Sequence, residues 1–270
     1  MRAKNKINLI AEIGWNHLGN ILLAKKMIKV AAKSGADYCK FQTWSEKNLK
    51  PGAWDTDGRR SIYKRAQLSH KMHFDLKNEC KKNKVKFLTS IFSLKDIEFL
   101  TKLNPAAIKI PSHEIYNLKL IKECVKKFKL VLVSAGAAKW SEVKRIIDLK
   151  SKKIILMHCV SSYPLEAKKV NFSKLDKIKN YTKNIGYSGH YNNIEDAVIA
   201  ISKGANFIEK HFTTNNKLSG RDNKYALNPS KFKSLSEFRN IYLKMNIPRG
   251  FGVQKCELDI YKNYRGRWSK

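Results

Sequence analysis

Eight short apolar runs, rich in β-branched residues, constrain the fold of this 270-residue chain more than any other feature. They cover residues 7–14, 36–42, 85–92, 106–112, 130–136, 153–160, 184–190 and 207–213. Segments with apolar residues at three-to-four spacing lie between them, among them residues 21–33, 74–83, 118–127, 140–149 and 194–203. This alternation predicts strands separated by amphipathic helices, which is the pattern of a parallel sheet.

Eight β/α units without an evident linker favour a closed α/β barrel, the TIM (β/α)8 barrel, over an open doubly wound sheet. Such barrels typically need about 250 residues. We predict one barrel domain over residues 1–250 and a tail over residues 251–270. Helices are expected to end at Gly35 and Gly204 and to begin at Ser141 and Asn193.

The net charge of +33 raises the question of a nucleic-acid partner. The basic residues are spread over almost every segment instead of forming one stripe, so we interpret them as solvated helix surface and expect no nucleic acid. No apolar stretch approaches the ~18 residues of a membrane span. Five separated cysteines without a C-x-x-C pair predict neither a disulfide framework nor a zinc site made of cysteines. We therefore expect a cytoplasmic protein without membrane association.

Polar residues collect at the carboxyl ends of the predicted strands, where the active sites of such barrels lie. Lys40 and Lys109 end apolar runs, so we expect both side chains to point into the barrel. Two lysines and several hydroxyl groups converging on one mouth suit a phosphate or carboxylate ligand. The residues at these ends are Glu12, Asn16, His17, Lys40, Gln42, Ser90, Lys109, Ser112, Ser134, His158, Ser161, Tyr163, Ser188, His190, Glu209 and His211.

His190 and His211 close the seventh and eighth predicted strands. Neighbouring strands lie about 4.8 Å apart, close enough for two imidazoles to share one metal ion. Glu209 precedes His211 by two positions, so its side chain should face the same way. Imidazole with carboxylate and water suits manganese, iron or zinc, whereas magnesium normally prefers oxygen ligands, so residue type alone leaves the metal open.

Two common catalytic signatures are missing from the sequence. No G-x-G-x-x-G follows the first strand, which disfavours a nucleotide-binding fold. No G-x-S-x-G accompanies the serines, which argues against a serine hydrolase. The longest loop, over residues 43–60, follows the second strand, and a loop of this length is more often functional than idle.

Five motifs at these strand ends occur together in one order. They are AEIGWNHLG at residues 11–19, KFQ at 40–42, KIPSHE at 109–114, GYSGH at 186–190 and EKHF at 209–212. In this order they resemble the catalytic barrel of the sialic acid (N-acetylneuraminate) synthase family, over roughly residues 7–245.

The resemblance implies a transferase that condenses phosphoenolpyruvate with an N-acylated aminosugar aldehyde, such as N-acetylmannosamine. The products would be a nine-carbon 2-keto acid and phosphate, and the cofactor a divalent metal, often Mn²⁺, with Mg²⁺ or another ion as alternatives. The residues implied in catalysis are Glu209, Lys109, Lys40 and Tyr163. Those implied in holding phosphoenolpyruvate are Lys40, Gln42, Ser90, Lys109, Ser112, Ser134, Ser161, Tyr163 and Ser188. Those implied in facing the sugar are Glu12, Glu114 and Asp222, and the implied metal ligands are His190 and His211.

The chain departs from the family pattern at three places. Ser161 stands where the family usually has Asn, and Gly189 stands where it usually has Asp. Family members usually continue into an antifreeze-protein-like domain that completes the partner's sugar site in a dimer, whereas this sequence stops at Lys270 and its tail resembles only the approach to that domain. By this resemblance we expect a homodimer, with a separate antifreeze-like domain as a further candidate partner.

Several alternatives stay open at this point. The acceptor could be a precursor of sialic, legionaminic or pseudaminic acid, free or phosphorylated. Another phosphoenolpyruvate-dependent synthase, making a seven- or eight-carbon keto acid, is the enzymatic alternative, although a sugar phosphate would be expected to need extra basic groups. A basic scaffold or nucleic-acid-binding barrel is the non-enzymatic alternative.

Overall fold

Eight parallel strands form a closed barrel in chain order, as the computed structural model shows for residues 6–268. Residues 1–5 and 269–270 of the two predicted domains lie outside the described residues. Each predicted apolar run coincides with one strand, with β2 extending one residue beyond its run, so the predicted TIM barrel is confirmed. The strands are β1 Asn8–Glu12, β2 Tyr38–Thr43, β3 Lys86–Ile91, β4 Ala107–Ile110, β5 Val131–Ser134, β6 Ile154–Cys159, β7 Ile185–Gly189 and β8 Phe207–His211.

Amphipathic helices connect the strands or follow the last of them. They are α1 Ile21–Lys33, α2 Arg59–Ala66, α3 His70–Lys82, α4 Ile97–Leu103, α5 Leu118–Lys127, α6 Trp140–Ile147, α7 Phe172–Lys179, α8 Glu195–Ser202 and α9 Pro229–Met245. Their buried residues recur at helical spacing, as in α1, where Ala24, Met27, Ile28 and Ala31 are buried.

The helix stops follow the sequence prediction more closely than the starts do. Gly35 and Gly204 lie just beyond α1 and α8 with φ of +91° and +98°, a backbone conformation that glycine adopts without a steric penalty. The predicted starts are displaced by a residue or two, because α6 begins at Trp140 and α8 at Glu195. At α6 the helix is capped by the Glu142 carboxylate, which accepts a hydrogen bond from the backbone N–H of Lys139 at 2.8 Å.

The barrel interior changes from apolar to polar towards the carboxyl ends of the strands. Side chains of a strand alternate between its two faces, so residues two positions apart share a face. Ile10 and Glu12 therefore point the same way, as do Tyr38 and Lys40. The apolar residues that pack together in the lower layer are Ile10, Tyr38, Leu88, Ala107, Leu132, Ile155, Met157 and Phe207. On these strands the next inward-facing residues towards the carboxyl end are Glu12, Lys40, Ser90, Lys109, Ser134, Cys159 and Glu209, and they form the layer above.

The chain divides into two compact units, with the barrel in the unit that ends at Arg239 and a second unit that begins at Asn240. This division falls within α9. The predicted end of the barrel domain is residue 250, and that boundary stays a prediction. The second unit exposes large apolar side chains, among them Phe251 and Trp268. Within residues 6–268, no helix is both long enough and apolar enough to cross a membrane.

Candidate active site

A cavity of about 430 Å³ lies at the carboxyl ends of the strands. Thirteen of the predicted site residues that line it come from the strand ends or the turns just after them, and Asp222 follows β8 at some distance along the chain. The predicted site residues that line it are Glu12, Lys40, Gln42, Ser90, Lys109, Ser112, Ser134, Ser161, Tyr163, Ser188, His190, Glu209, His211 and Asp222. Glu114 is not among the lining residues, and its Oε2 accepts a hydrogen bond from Asn117 Nδ2 at 3.3 Å.

Glu209 is the centre of charge at the cavity floor. Its Oε2 lies 2.8 Å from Lys109 Nζ, its Oε1 lies 3.7 Å from Lys40 Nζ, and Ser188 Oγ donates to Oε1 at 2.9 Å. Burial pushes the pKa of Glu209 upward, but the two lysines outweigh burial and hold the pKa at about 2. Glu209 is therefore ionised at neutral pH.

Glu12 differs from Glu209 although the two carboxylates share Lys40. Lys40 Nζ lies 2.8 Å from Glu12 Oε2, and Gln42 Nε2 donates to Glu12 Oε1 at 2.6 Å. Burial raises the pKa of Glu12 to about 7, and the negative charge of Glu209 adds to this effect against the opposing attraction of Lys40. One carboxyl group of the floor can thus exchange a proton near neutral pH while the other stays charged.

The two lysines of the floor are also held differently. Burial lowers the pKa of Lys109, and its partner Glu209 offsets this only in part. Burial acts on Lys40 in the same sense, but Glu12 and Glu209 together outweigh it and raise the pKa of Lys40. Lys40 also donates a hydrogen bond to Ser90 Oγ at 3.0 Å. A negatively charged ligand would meet two buried ammonium groups here.

A cluster of hydroxyl and thiol groups forms one wall beside these lysines. Ser112 Oγ lies 3.0 Å from Cys159 Sγ, which lies 3.8 Å from Ser161 Oγ. These side chains surround Gly136, where an added Cβ would approach Ser161 Oγ to 2.6 Å. Cys159 is not among the predicted site residues, although strand alternation places it on the same inward face as Met157, two residues earlier.

His190 and His211 lie side by side, with ring centroids 5.6 Å apart. His190 Nδ1 lies 2.6 Å from the carbonyl oxygen of Val160, so Nδ1 carries the proton and the lone pair is on Nε2. His211 Nδ1 is buried without a hydrogen-bond partner and lies 3.6 Å from Asp222 Oδ2. Burial lowers the pKa of each histidine to about 3, so both rings are neutral at physiological pH.

These observations fit the predicted metal ligands, because metals bind neutral imidazole nitrogens. The hydrogen bond from His190 to a backbone carbonyl is the type of contact that orients metal-binding imidazoles. Among residues 6–268, no group of three or more His, Cys, Asp or Glu side chains is arranged around a possible metal position. The protein would therefore supply two imidazole ligands to such an ion.

The mouth of the cavity combines aromatic and cationic side chains from loops. Trp15 and Tyr63 meet edge to face with ring centroids 5.2 Å apart. Arg59 and Arg221 also line the cavity, and Asp57 lies between them: its Oδ2 is 2.5 Å from Arg59 Nη2 and 3.7 Å from Arg221 Nη1. The sequence analysis assigned neither arginine to the site, although Arg59 lies in the loop over residues 43–60 that it singled out.

The sequence profile of the NeuB family matches residues 27–246, most of the barrel. The chain belongs to the NeuB family. A curated NeuB-family relative, the N,N'-diacetyllegionaminic acid synthase of Campylobacter jejuni, is 34% identical over 96% of this chain and 82% of its own length. The pseudaminic acid synthase of the same species is 30% identical over 85% of this chain and 72% of its own length.

A solved structure agrees with this assignment to the NeuB family. The N-acetylneuraminic acid synthetase of Leptospira borgpetersenii, crystallised with citrate, has a TM-score of 0.88 and 29% identity, covering 98% of this chain and 94% of that one. The family resemblance found from the five motifs is thus confirmed. The relatives of this NeuB-family chain carry names of three different sugar acids.

Proposed function

We propose that this NeuB-family chain is a synthase that condenses phosphoenolpyruvate with an N-acylated aminosugar aldehyde, giving a nine-carbon 2-keto sugar acid and phosphate. One observation carries the proposal: a buried Lys40–Glu209–Lys109 group lies at the floor of a cavity whose walls carry hydroxyl groups and two neutral imidazoles. The names of the relatives support a sugar acid as the product.

The floor suits phosphoenolpyruvate, which carries a carboxylate and a phosphate. Lys40 and Lys109 would each face one of these anionic groups, and charge-assisted hydrogen bonds of this kind are short and strong. The cluster of Ser112, Cys159 and Ser161 would add donors that fix the ligand's orientation. Holding both reactants in one geometry removes most of the entropic cost of their encounter.

The proposed reaction forms one carbon–carbon bond and replaces the bond between C2 and the bridging oxygen of phosphoenolpyruvate by a bond between C2 and a water oxygen. C3 of phosphoenolpyruvate attacks the aldehyde carbon, and the aldehyde oxygen takes a proton, for which Glu12 is the group with a pKa near 7. A water molecule then adds to C2 with Glu209 beside it as the ionised base. Phosphate leaves with the bridging oxygen, and C2 becomes the ketone.

The proposed cofactor is a divalent metal, with Mn²⁺ preferred over Mg²⁺, held by His190 and His211. Such an ion, when bound, would polarise the aldehyde oxygen. Tyr163 lies beside the two histidines, with its ring centroid 4.0 Å from that of His190. Tyr163 therefore limits the side from which a ligand can approach the two imidazoles.

The acceptor side of the site would be the mouth lined by Trp15, Tyr63, Arg59 and Arg221. Guanidinium groups can donate to the oxygens of an acylated sugar, and aromatic rings can cover its acyl group. Glu12 and Asp222 also line the cavity, and we propose them as residues that face the sugar. We further propose, from the family resemblance, a cytoplasmic homodimer, with a separate antifreeze-like domain as a candidate partner for completing this side.

The experiment that tests the function is phosphate release from phosphoenolpyruvate across a panel of acylated aminosugars, with and without Mn²⁺. We expect release only when both substrates are present. Release without any acceptor, or none with any acceptor on the panel, would contradict the proposal. The mass of the product then decides between precursors of sialic, legionaminic and pseudaminic acid.

A further inference from the structure

Lys210 lies on β8 between Glu209 and His211, on the opposite face of the strand from both. Its side chain is almost fully buried, with 1% exposed. Nζ contacts both carboxylate oxygens of Asp196 at 2.8 Å and the carbonyl oxygen of Tyr191 at 2.6 Å. An ammonium group has three N–H donors, so these three acceptors satisfy it completely.

Asp196, in the first turn of α8, also has hydrogen-bond partners for both of its carboxylate oxygens. Its Oδ2 accepts a hydrogen bond from the Tyr187 hydroxyl at 3.0 Å, and its Oδ1 accepts one from the backbone N–H of Ala197 at 2.8 Å. These four hydrogen bonds, two of them from Lys210, fix the position of the Asp196 carboxylate. The contact therefore ties α8 to β7 and β8 at a defined place.

The end of β7 is shaped around this carboxylate. At Gly189 an added Cβ would approach Tyr187 Cε1 to 2.6 Å and would come still closer to Asp196 Oδ2. Position 189 is the one where the motif departs from its family, which usually has Asp there. In this chain a carboxylate from the neighbouring helix occupies the space where a side chain on the strand would begin.

The contacts of Lys210 bear directly on the two histidines. Lys210 is the residue before His211, and Tyr191, whose carbonyl it binds, is the residue after His190. We infer that the buried Asp196–Lys210 ion pair positions His190 and His211 relative to each other, so that both imidazoles can bind one divalent cation. The inference rests on the proposed metal-binding role of the pair, and it assigns Asp196 as a positioning residue that never touches the ligand.

The test uses two variants and a matched control. Asp196→Asn removes the negative charge with little change in shape, but it leaves a buried ammonium uncompensated and can fail to fold. The double variant D196N/K210M removes both charges and avoids that problem. The control Glu195→Gln removes a carboxylate from the adjacent, exposed position of the same helix, where Glu195 accepts a hydrogen bond from Asn193 Nδ2.

Three measurements separate positioning from mere stability. Histidine ring ¹⁵N spectra of the metal-free protein report whether Nδ1 of His190 still carries its proton. Electron paramagnetic resonance gives the Mn²⁺ dissociation constant, and calorimetry gives the phosphoenolpyruvate affinity. For the folded double variant we expect the Nδ1–H signature of His190 to be lost and Mn²⁺ to bind about tenfold or more weakly, as when contacts behind metal ligands are removed. Phosphoenolpyruvate affinity should change less than about twofold, because its proposed lysines, Lys40 and Lys109, lie on β2 and β4, which the ion pair does not contact. E195Q should match the parent.

A folded double variant that keeps both the His190 signature and the parent's Mn²⁺ affinity would overturn the inference. If the proposed function is wrong but the inference is right, the parent chain forms no keto acid while the double variant still loses the Nδ1–H signature of His190. That signature is measured without metal or turnover, so the two failures can be told apart.

Discussion

Glu209 and Glu12 show how one small volume holds two carboxyl groups in different states. Both are buried and both face Lys40, but only Glu209 also has Lys109, at 2.8 Å. The second lysine decides the outcome, because burial alone raises the pKa of a carboxyl group. At neutral pH Glu209 is thus ionised, whereas Glu12 can hold a proton.

Replacing Lys109 by Met should destabilise the fold and abolish most of the activity. The change leaves the buried Glu209 carboxylate with only the more distant Lys40, and breaking a buried ion pair costs about 3–5 kcal/mol. Urea unfolding measures this loss in free energy. Lys102→Met, which breaks the exposed Lys102–Glu98 pair on α4, is the control and should leave the unfolding curve unchanged. Equal curves for the two variants would show that the Lys109–Glu209 pair does not stabilise the fold.

Glu12 should make the stability fall as the pH rises from about 4.5 to about 7. The pKa of Glu12 is about 7 in the folded chain, against the ordinary value of 4.5 for a glutamate side chain. The unfolded chain therefore releases this proton first, so the contribution is fully present below pH 4.5 and is lost through pH 7. The loss is at most about 1.4 kcal/mol per pH unit. Unfolding curves at several pH values should show this slope in the parent and a smaller slope in Glu12→Gln; identical slopes would mean that Glu12 is ionised throughout.

Strand alternation explains how much of the site could be predicted at the level of the elements. A period of two places Lys40 and Glu209 on the interior face once the strands are recognised, and the parallel barrel brings their ends together. Strand alternation also places Cys159 on the interior face, but Cys159 was not among the predicted site residues. Arg59 and Arg221 could not be placed this way, because loop conformation is not periodic. Asp196 escaped prediction because its partner, Lys210, lies on the outer face of β8.

Gly136, in the turn after β5, should be sensitive to a single methyl group. Gly136→Ala would force Ser112, Cys159 and Ser161 apart, since the new Cβ would lie 2.7 Å from Ser112 Oγ. Loss of one charge-assisted hydrogen bond costs roughly 1.5–3 kcal/mol, so phosphoenolpyruvate should bind about ten- to a hundredfold more weakly by calorimetry. Gly52→Ala is the control, because no heavy atom lies within 4 Å of its added Cβ. An unchanged phosphoenolpyruvate affinity in Gly136→Ala would show that Ser112, Cys159 and Ser161 do not bind phosphoenolpyruvate.

Arg59, at the start of α2, should act on the acceptor alone. Arg59→Met is expected to raise the Michaelis constant of the aminosugar about tenfold and to leave that of phosphoenolpyruvate unchanged, because the arginine lies at the mouth and the lysines lie at the floor. Lys64→Met changes an exposed cation of the same helix and should have no effect. A parallel rise in both Michaelis constants would show that the two halves of the site are not separate.

At the scale of the whole molecule, the sequence predicted the barrel architecture, while the domain boundary at residue 250 stays a prediction. Eight apolar runs sufficed for the barrel because closure needs only repeated β/α units. The division at Arg239 and Asn240 falls inside the continuous helix α9, and nothing in the residues of a continuous helix marks such a point. The charge of +33 gives the whole surface an attraction for anions, which includes small phosphorylated metabolites as well as nucleic acid.

The most direct test is the fate of the bridging oxygen of phosphoenolpyruvate. Phosphoenolpyruvate labelled with ¹⁸O at that position is incubated with the chain, Mn²⁺ and an acylated aminosugar, and the phosphate and the sugar acid are analysed by mass spectrometry. We predict a nine-carbon keto acid together with phosphate that carries the label. Unlabelled phosphate, or labelled phosphate without a product containing the carbons of both substrates, would contradict the proposed condensation.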